Sequence, residues 1–353
     1  MTQKIAIIYQ TKTPPERNGN IKPMKLGGYS DSGADIAYSL QRQDIYVVTP
    51  VEHPNVELDL DWVFPDTTEG IQSALDKGAN IIWLNTVLYK GHPIEAFIKS
   101  GISVVGQIPE NVDLYDDKWV TNDLLKANNL PIPKSVLITH KNISTFNLNF
   151  PFPVVAKPIL GRGSQGVSMV DNAEKLSAII NEMFGSKNYG EVLFVEEYLS
   201  GQEITITIMP PGRYCINGKT ETKNDYWSLP PVKRFNHENG IAPYNGTVAV
   251  IHNSQVLSDE EIYQKDILQV CRYCEQASKL VNAKAPIRID CRANEDGNYF
   301  LFDLNMKPNM TGIYRPHKQD QDSLSALSAR QIGWTFDNLI LNMLNQHWRN
   351  PSI

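Results

Sequence analysis

Residues 287–311, IRIDCRANEDGNYFLFDLNMKPNMT, predict two short strands joined by a turn at residues 294–297. Side chains alternate along a strand, so Arg288, Asp290 and Arg292 share one face of the first strand. The apolar residues between them share the other face. This hairpin can therefore bury one side in a core and present polar groups on the other.

The second strand places Asp303 and Asn305 on one face together with Leu301. Paired across a hairpin, the two strands would collect two carboxylates, an amide oxygen and a guanidinium on one side. Hard oxygen ligands of this kind suit Mg²⁺ or Mn²⁺, especially where the ion also holds phosphate oxygens. The alternative is that Arg288 and Asp290 form a solvated ion pair that binds nothing.

Length and composition describe an ordinary globular chain. Its 353 residues allow two or three compact lobes, and 41% hydrophobic and 20% charged residues are typical values. The net charge of −6 argues against a protein that binds nucleic acid through general electrostatics. There is no signal-peptide pattern and no apolar run of about 20 residues. We expect a cytoplasmic protein that acts on small molecules and binds neither nucleic acid nor membrane.

Two of the four cysteines form a Cys271-x-x-Cys274 pair, which is a spacing found in metal and redox sites. Ile267, Ser278 and Val281 continue the same helical spacing, however. The pattern favours thiols on the apolar face of a helix over a metal or redox site.

Strand-like and helix-like segments alternate through the first hundred residues. Strands are predicted at residues 4–9, 44–50, 80–86 and 102–107, and helices at residues 35–41, 70–77 and 94–99. Such alternation indicates a doubly wound parallel sheet. The glycine-containing segment 27–33, GGYSDSG, lacks the spacing of a phosphate loop. We interpret it as a small-molecule loop leading into a helix capped by Ser30, Asp31 or Ser32, next to an exposed loop at 11–26.

From residue 116 the pattern changes. An amphipathic helix ends at a proline-marked turn, and a strand at 152–158 then carries one inward lysine, Lys157. A glycine-rich turn at 159–166 follows, and after it a strand and a helix capped by Asp171 or Asn172. Glycines between two strands let backbone N–H groups approach a phosphate, so the turn could be a lid. It could equally be a hairpin without a ligand.

The segment 191–209 contains two strands with acidic residues around the turn between them. Such carboxylates can accept from ribose hydroxyls, or they can simply be a charged turn. Residues 210–249 are rich in Gly, Pro and Asn and predict a long loop. Helices are predicted at 259–281 and 336–344.

The order of these features resembles the ATP-grasp superfamily, and within it the D-alanine–D-alanine ligase group. The resemblance rests on Asp117-Lys118, on Lys157 before the glycine turn, on EEYLSGQE at 196–203, and on RID and DLN in the hairpin. It covers roughly residues 105–345. It implies an α/β chain with α+β lobes: an N-terminal doubly wound domain at 1–112, a small ATP-grasp lobe at 113–195, and a large lobe at 196–353.

The resemblance also implies roles for individual residues. ATP phosphates would meet Lys118 and Lys157 under a loop formed by Gly161, Gly163, Ser164 and Gly166. The adenine hinge would be Glu196, Glu197, Tyr198 and Leu199, and Glu203 would hold the ribose. Two Mg²⁺ ions, replaceable by Mn²⁺, would be bound by Asp290, Asp303 and Asn305. Arg288 would face the reacting carboxyl, and either Lys233 or Arg234 would be the basic residue of a long mobile loop.

The substrate half departs from the family pattern. The glutamate that the ligases carry after their Gly-Gly motif is Ser32 here, with Ser30 and Asp31 beside it. After the asparagine ligand this chain has Lys307 and Asn309, then Tyr314 and Arg315. The added positive charge at Lys307 and Arg315 would favour an anionic substrate group.

The resulting hypothesis is an ATP-dependent carboxylate–amine ligase that works through an acyl phosphate. It would join an amino acid or related acid to a small amine or amino acid. The alternatives are a D-alanine–D-alanine ligase of cell-wall synthesis, a kinase-like phosphotransferase of the same superfamily, and a nucleotide-binding regulator without turnover. The resemblance also suggests a homodimer.

Overall fold

The computed structural model describes residues 2–17, 19–161, 164–186, 188–242, 249–318 and 321–350. Its first part alternates strands and helices, as the sequence predicts. The elements are β1 (Lys4–Tyr9), α1 (Ser30–Arg42), β2 (Tyr46–Val47), β3 (Val63–Pro65), α2 (Thr68–Asp76), β4 (Ile81–Asn85), α3 (Ile94–Lys99), β5 (Ser103–Val105), α4 (Pro109–Tyr115) and α5 (Lys118–Ala127). The sequence analysis missed strand β3 and helix α4.

The first sheet is parallel. Strand β1 pairs with β2, β3 and β4, and β4 pairs with β5. Ile5 and Ile7 of β1 belong to a core that includes α1, whereas Ala6 and Ile8 belong to one that includes α2 and α3. A strand covered on both faces is apolar at every position, which explains the run KIAIIY. The doubly wound arrangement is confirmed.

A second sheet is antiparallel. Its strands are β6 (Ser135–Thr139), β7 (Val154–Pro158), β8 (Ser168–Val170) and β9 (Val192–Glu197), in the order β6-β9-β7-β8. Helix α6 (Ala173–Ser186) lies between β8 and β9 in the chain. Asn172 Oδ1 accepts a hydrogen bond from the backbone N–H of Lys175 at 2.9 Å, so the predicted cap of α6 is confirmed at Asn172. The apolar stripe of α6 packs on this sheet in a core of its own.

The third sheet contains the hairpin predicted from residues 287–311. Its elements and neighbours are β10 (Glu203–Met209), β11 (Gly212–Ile216), β12 (Lys219–Lys223), β13 (Trp227–Ser228), β14 (Val232–Arg234), β15 (Ser254–Val256), α7 (Asp259–Ile262), α8 (Lys265–Leu280), β16 (Ile287–Ala293), β17 (Tyr299–Asn305), α9 (Leu324–Gln331) and α10 (Phe336–Leu344). The strand order is β15-β14-β10-β16-β17, with β13 also on β10 and β11–β12 a separate hairpin.

The predicted loop at 210–249 is wrong as far as residue 234, because four strands lie there. Asn217 and Gly218 join β11 to β12 with φ of 50° and 74°. Asn-Gly between two strands is a strong hairpin signal, since both residues tolerate a left-handed backbone. The helix predicted at 259–281 is also corrected: α7 ends at Ile262 and α8 begins at Lys265.

The hairpin of β16 and β17 is confirmed, and it contains one irregularity. Asp290 pairs with Asp303 and Cys291 pairs with Leu301, so Phe302 is an extra residue in the ladder. Such a β-bulge changes which face the neighbouring side chains occupy. Leu301 is buried in the core rather than sharing a face with Asp303, so that expectation is wrong.

The cysteine pair lies on α8 as the apolar-face interpretation predicts. Cys271 and Cys274 are buried, and Cys274 Sγ lies 3.4 Å from Cys291 Sγ. Burial raises the pKa of the Cys271 thiol to about 12. Across the ranges given above, no helix is long and apolar enough to cross a membrane.

Candidate active site

A cavity of about 510 Å³ is lined by strands of the second and third sheets and by residues from the N-terminal part of the chain. Most of the predicted site residues line it: Asp31, Lys118, Lys157, Gly161, Ser164, Glu196, Glu197, Tyr198, Leu199, Glu203, Arg234, Arg288, Asp290, Asp303, Asn305, Lys307 and Asn309. Residues predicted from separate parts of the chain are thus brought together in one place.

Lys157 and Glu196 form a buried ion pair at one end of the cavity. Their strands, β7 and β9, are hydrogen-bonded neighbours, which places the two side chains next to each other. The Lys157 ammonium lies 4.7 Å from the centre of the Phe194 ring. Burial lowers the pKa of Lys157 and raises that of Glu196, because both charged forms are removed from water.

Lys118 makes an ion pair with Asp303 on the third sheet. Asp117 accepts hydrogen bonds from the N–H groups of Trp119 and Val120, so it caps α5 and fixes Lys118 in the first turn. Burial alone would raise the pKa of Asp303. Lys118 and Lys157 outweigh that effect and hold it below its usual value.

The carboxylates of the hairpin converge by strand register. Asp290 lies opposite Asp303, and Arg288 lies opposite Asn305. Asp290 accepts a hydrogen bond from Thr205 Oγ1 at 2.5 Å, and Arg288 Nε lies 3.4 Å from Asp290 Oδ1. The Arg288 and Asp290 side chains are only 10% and 15% exposed, so the solvated ion-pair alternative is wrong.

The oxygen atoms of Asp290, Asp303 and Asn305 fit a divalent cation by their chemistry. All three line the cavity, and hard oxygen ligands are those that Mg²⁺ prefers. In the part of the chain that is described, no three His, Cys, Asp or Glu side chains group closely enough to hold a metal. The family resemblance implies the amide oxygen of Asn305 as the third ligand.

Glu203 is held from two sides. His237 Nε2 lies 2.9 Å from its carboxylate and Arg292 lies 3.6 Å away. Arg292 also donates to the backbone oxygen of Gly240 at 2.7 Å and to the Tyr198 hydroxyl at 3.0 Å. One guanidinium thus connects the predicted hinge with residues 237–242.

Lys233 and Arg234 lie on opposite faces of β14, because successive side chains alternate along a strand. Arg234 is buried and lines the cavity, whereas Lys233 pairs with Glu261 at 3.4 Å and does not line it. Both residues are in a strand of the sheet, so their expected position on a mobile loop is wrong.

Four predicted substrate residues are not part of the cavity wall. Arg315 is completely buried and binds Asp35 and Asp59, each at 2.6 Å. Tyr314 stacks under Arg42 at 4.4 Å. Ser30 and Ser32 are buried residues of α1. The N-cap of this helix is Tyr29, whose φ is 67° and whose side chain makes no capping hydrogen bond. The predicted caps at Ser30, Asp31 or Ser32 are therefore wrong.

The glycine turn is only partly described. Gly161 and Ser164 line the cavity, and Gly163 lies outside the described residues. Gly166 is not among the lining residues; its φ is 72° and an added Cβ would lie 2.5 Å from the Tyr189 ring. Its glycine is therefore required by packing against Tyr189.

Comparison with known proteins places this geometry in a family. The family described as D-ala D-ala ligase C-terminus matches residues 124–345, which is well over half of the chain. The chain belongs to this family.

Individual relatives agree with that assignment. The chain is 25% identical over 230 residues to the D-alanine–D-alanine ligase of Francisella tularensis subsp. novicida, covering 65% of this chain and 67% of that one. The structure of Bacillus anthracis D-alanine–D-alanine ligase complexed with ATP is similar with a TM-score of 0.63 at 16% identity, over 98% of this chain and 97% of that one. The VanG D-Ala:D-Ser ligase of Enterococcus faecalis gives a TM-score of 0.63 at 13% identity, over 98% and 99%.

The family assignment confirms the predicted ATP-grasp fold. It also confirms the predicted enzyme class, an ATP-dependent carboxylate–amine ligase that forms C–N bonds. The identity of the acid and the amine is a separate question, and it concerns the half of the cavity where this chain departs from the family pattern.

Several lining residues were missed by the sequence analysis. Lys22 and Lys25 line the cavity from the segment that we expected to be an exposed loop. Nothing local in the sequence indicates this, because long-range packing brings the loop to the cavity. Tyr29 also lines the cavity, and it lies in segment 27–33, which we interpreted as a small-molecule loop without singling out the tyrosine. Arg292 carried a usable signal, since it shares a strand face with Arg288 and Asp290.

Proposed function

We propose that this protein uses ATP to join a small carboxylic acid, an amino acid or a close analogue, to an amine. The convergence of Lys118, Lys157, Asp290 and Asp303 on one cavity is the observation that carries this proposal. These groups come from three of the features on which the resemblance rests: Asp117-Lys118, the strand before the glycine turn, and the hairpin.

The nucleotide would occupy the end of the cavity formed by the second sheet. Lys118 and Lys157, with Gly161 and Ser164, would contact the phosphates. Glu196 Oε2 is buried and has no hydrogen-bond partner within the described ranges, which leaves an acceptor for an amino group such as that of adenine. Glu197, Tyr198 and Leu199 would form the rest of the hinge, and Glu203 would accept from the ribose.

Asp290, Asp303 and Asn305 would hold Mg²⁺, which when bound neutralises phosphate charge during phosphoryl transfer. Two ions are proposed from the family resemblance, with Mn²⁺ as a possible replacement.

The side chains of this protein would orient the reaction between those groups. The acid's carboxylate would attack the γ-phosphorus of ATP with ADP as the leaving group, and the amine would then displace inorganic phosphate from the acyl phosphate and lose a proton. Arg288 would lie at the reacting end, where its guanidinium would bind the oxygen that gains negative charge. Removing one such donor typically costs about 10²–10³ in kcat. The apolar side chains of Leu199, Phe302 and Leu304 line the same cavity and would limit the access of water.

A D-alanine–D-alanine ligase is the second candidate, and the names of the curated relatives favour it. Lys307 and Asn309 line the cavity here and weigh against an orthodox dipeptide ligase. Asn309 Oδ1 is buried without a hydrogen-bond partner in the described parts of the chain, so it offers an acceptor to an incoming amine. From the family resemblance we also propose a homodimer. Light scattering would test this by measuring the mass of the particle in solution.

The test is a matrix of amino acids and amines assayed for ADP and phosphate release, with mass detection of products. We expect ADP release that requires both an acid and an amine, and a product whose mass equals their sum minus water. A stable phosphorylated acid formed without an amine would replace the ligase by a phosphotransferase. Rapid turnover of D-alanine alone would establish the second candidate instead.

A further inference from the structure

Residues 11–27 form a closed loop between β1 and α1. We call this segment, described except for residue 18, the insertion loop. The backbone N–H of Gln10 donates to the carbonyl of Gly28 at 2.8 Å, so the chain leaves and rejoins the first sheet at one point. A compact surface loop whose ends meet in this way often has a function of its own.

The insertion loop is fixed to the segment that leads to the second sheet. Arg17 donates to the backbone oxygen of Asp113, and Lys22 pairs with Asp116 at 2.5 Å. Asn20 Nδ2 donates to the carbonyl of Leu160 at 3.0 Å, next to the glycine turn. The loop therefore extends along one side of the cavity and places Lys22 and Lys25 in its wall.

Two ammonium groups lie against one aromatic ring in that wall. Lys307 Nζ lies 3.6 Å from the centre of the Tyr29 ring, and Lys25 Nζ lies 5.5 Å from it. Lys307 also donates to Asn85 Oδ1 at 2.8 Å, which fixes its position. One cation comes from the insertion loop and the other from the segment after β17, and all three side chains line the cavity.

The position of this cluster relates it to the reacting centre. Arg288 lies opposite Asn305 in the hairpin, and Asn305 Oδ1 accepts from the backbone N–H of Lys307 at 3.0 Å. Lys307 therefore follows directly after the strand that carries the proposed metal ligands. A molecule with its reacting carboxyl at Arg288 would extend toward Lys307 and Tyr29.

The acidic residues on this side have partners of their own. Asp31 pairs with Lys25, which also lines the cavity, and lies 3.9 Å from Lys318, which does not. Asp322 pairs with Arg330, which does not line the cavity either. Part of the acidic charge is thus neutralised from outside the wall, and a bound carboxylate would share Lys25 with Asp31.

We infer that Lys25 and Lys307 form a subsite for a second carboxylate of the substrate, so that the acid is a dicarboxylate such as an acidic amino acid. The inference rests on the proposed ligase function and specifies its substrate class. Arg315, the other candidate for this role in the sequence, is excluded by its pairing with Asp35 and Asp59.

The experiment compares glutamate and aspartate with their amides and with alanine, each as both enantiomers, in the ADP-release assay with a panel of amines. We expect the wild-type protein to prefer a dicarboxylate. Lys307→Gln should lower kcat/KM for that dicarboxylate roughly 10- to 100-fold, the usual effect of losing a charge-assisted hydrogen bond, and change the amide by less than about threefold. Lys25→Gln should act in the same direction, and Lys307→Arg should retain the preference.

Lys12→Gln is the matched control. It removes the same charge from the insertion loop at an exposed position that does not line the cavity, so both substrate types should be unaffected. Equal losses for every acid in Lys307→Gln would overturn the subsite. A wild-type preference for alanine or for an amide would also overturn it.

Calorimetry separates this inference from the ligase proposal. The protein, loaded with Mg²⁺ and a non-hydrolysable ATP analogue, is titrated with the dicarboxylate and with its amide. Tighter binding of the dicarboxylate that disappears in Lys307→Gln supports the subsite even if no acid and amine pair releases ADP. Turnover without such a difference in binding supports the ligase proposal and removes the subsite.

Discussion

At the scale of single residues, charged groups that line the cavity pair with each other. Lys118 neutralises Asp303, and Lys157 neutralises Glu196. A buried charge without a partner is expensive, so charges buried in such a site need partners from the protein itself. ATP and its metal would exchange these contacts for their own.

Asp303→Asn tests this arrangement. We expect at least a 100-fold fall in kcat/KM, about 3 kcal/mol of barrier, because the amide cannot replace an anionic metal ligand. Circular dichroism should show an unchanged fold. Glu295→Gln, at an exposed position in the turn of the same hairpin, is the control. Wild-type rates in Asp303→Asn would refute the metal assignment.

Asp66 offers a test by pH. It accepts from Thr11 N–H at 3.0 Å, Thr11 Oγ1 at 2.7 Å and Thr86 Oγ1 at 2.5 Å, and His92 lies at 3.3 Å. Burial alone would raise the pKa of Asp66, but these hydrogen bonds, led by His92, lower it overall. A carboxyl with a lowered pKa stabilises the fold fully above its unfolded pKa of about 3.9, and this is lost as pH falls through the folded value.

We therefore expect Asp66→Asn to cost about 1–3 kcal/mol at pH 7, and the difference from wild type to shrink below about pH 4. Melting temperatures of the variant and the wild type between pH 3 and pH 8 measure this difference in stability. Asp225→Asn is the control, since Asp225 pairs with Lys279 in an exposed position where such pairs contribute little. A constant difference across the whole range would contradict the assignment.

At the scale of elements, predictions from the sequence were correct where residues that are close in sequence are also close in space. Asp290 and Arg288 were correctly placed because strand alternation is set by covalent geometry. The bulge at Phe302 inverted the face expected for Leu301, because a bulge depends on how two strands pair. Lys25 gave no local signal, since the packing of the insertion loop brings it to the cavity.

The closure of the insertion loop requires a glycine. Gly28 has φ of +57°, and an added Cβ would lie 1.8 Å from the carbonyl oxygen of Gln10. Gly91 has φ of +88° but open space around it. We expect Gly91→Ala to cost about 1–2 kcal/mol for its left-handed backbone. Gly28→Ala should cost clearly more, about 3 kcal/mol or above, because the clash is added.

Melting temperatures of the two alanine variants, measured side by side, separate backbone conformation from close approach. If Gly28→Ala were no worse than Gly91→Ala, the contact between Gln10 and Gly28 would not be a tight one. The loop would then be less firmly closed than the structure indicates.

At the scale of the whole molecule, one cavity is lined by strands of the second and third sheets and by residues from the N-terminal part of the chain. We propose the boundaries 1–112, 113–195 and 196–353 for the lobes around it, although β9 (Val192–Glu197) crosses the second of them. Val104 also joins distant parts of the chain, because it and Trp348 exchange backbone hydrogen bonds. Ligand binding should therefore stabilise the molecule as a unit.

A non-hydrolysable ATP analogue with Mg²⁺ should raise the melting temperature. At 100 times its Kd a ligand that binds only the folded state adds about 2.7 kcal/mol. Lys157→Met should lose most of this shift because it removes a proposed phosphate contact, whereas Lys12→Gln should keep it. A full shift in Lys157→Met would remove Lys157 from the nucleotide site.

The hydrogen bond between Gln10 and Gly28 also bears on how such a protein can evolve. A segment that departs and returns at one point can lengthen, shorten or be exchanged while the strand before it and the helix after it stay in register. Selection could therefore alter which acid is accepted by editing a stretch remote in sequence from the catalytic hairpin. The proposed substrate contact at Lys25 and the proposed phosphate contacts would thus lie in different parts of the polypeptide.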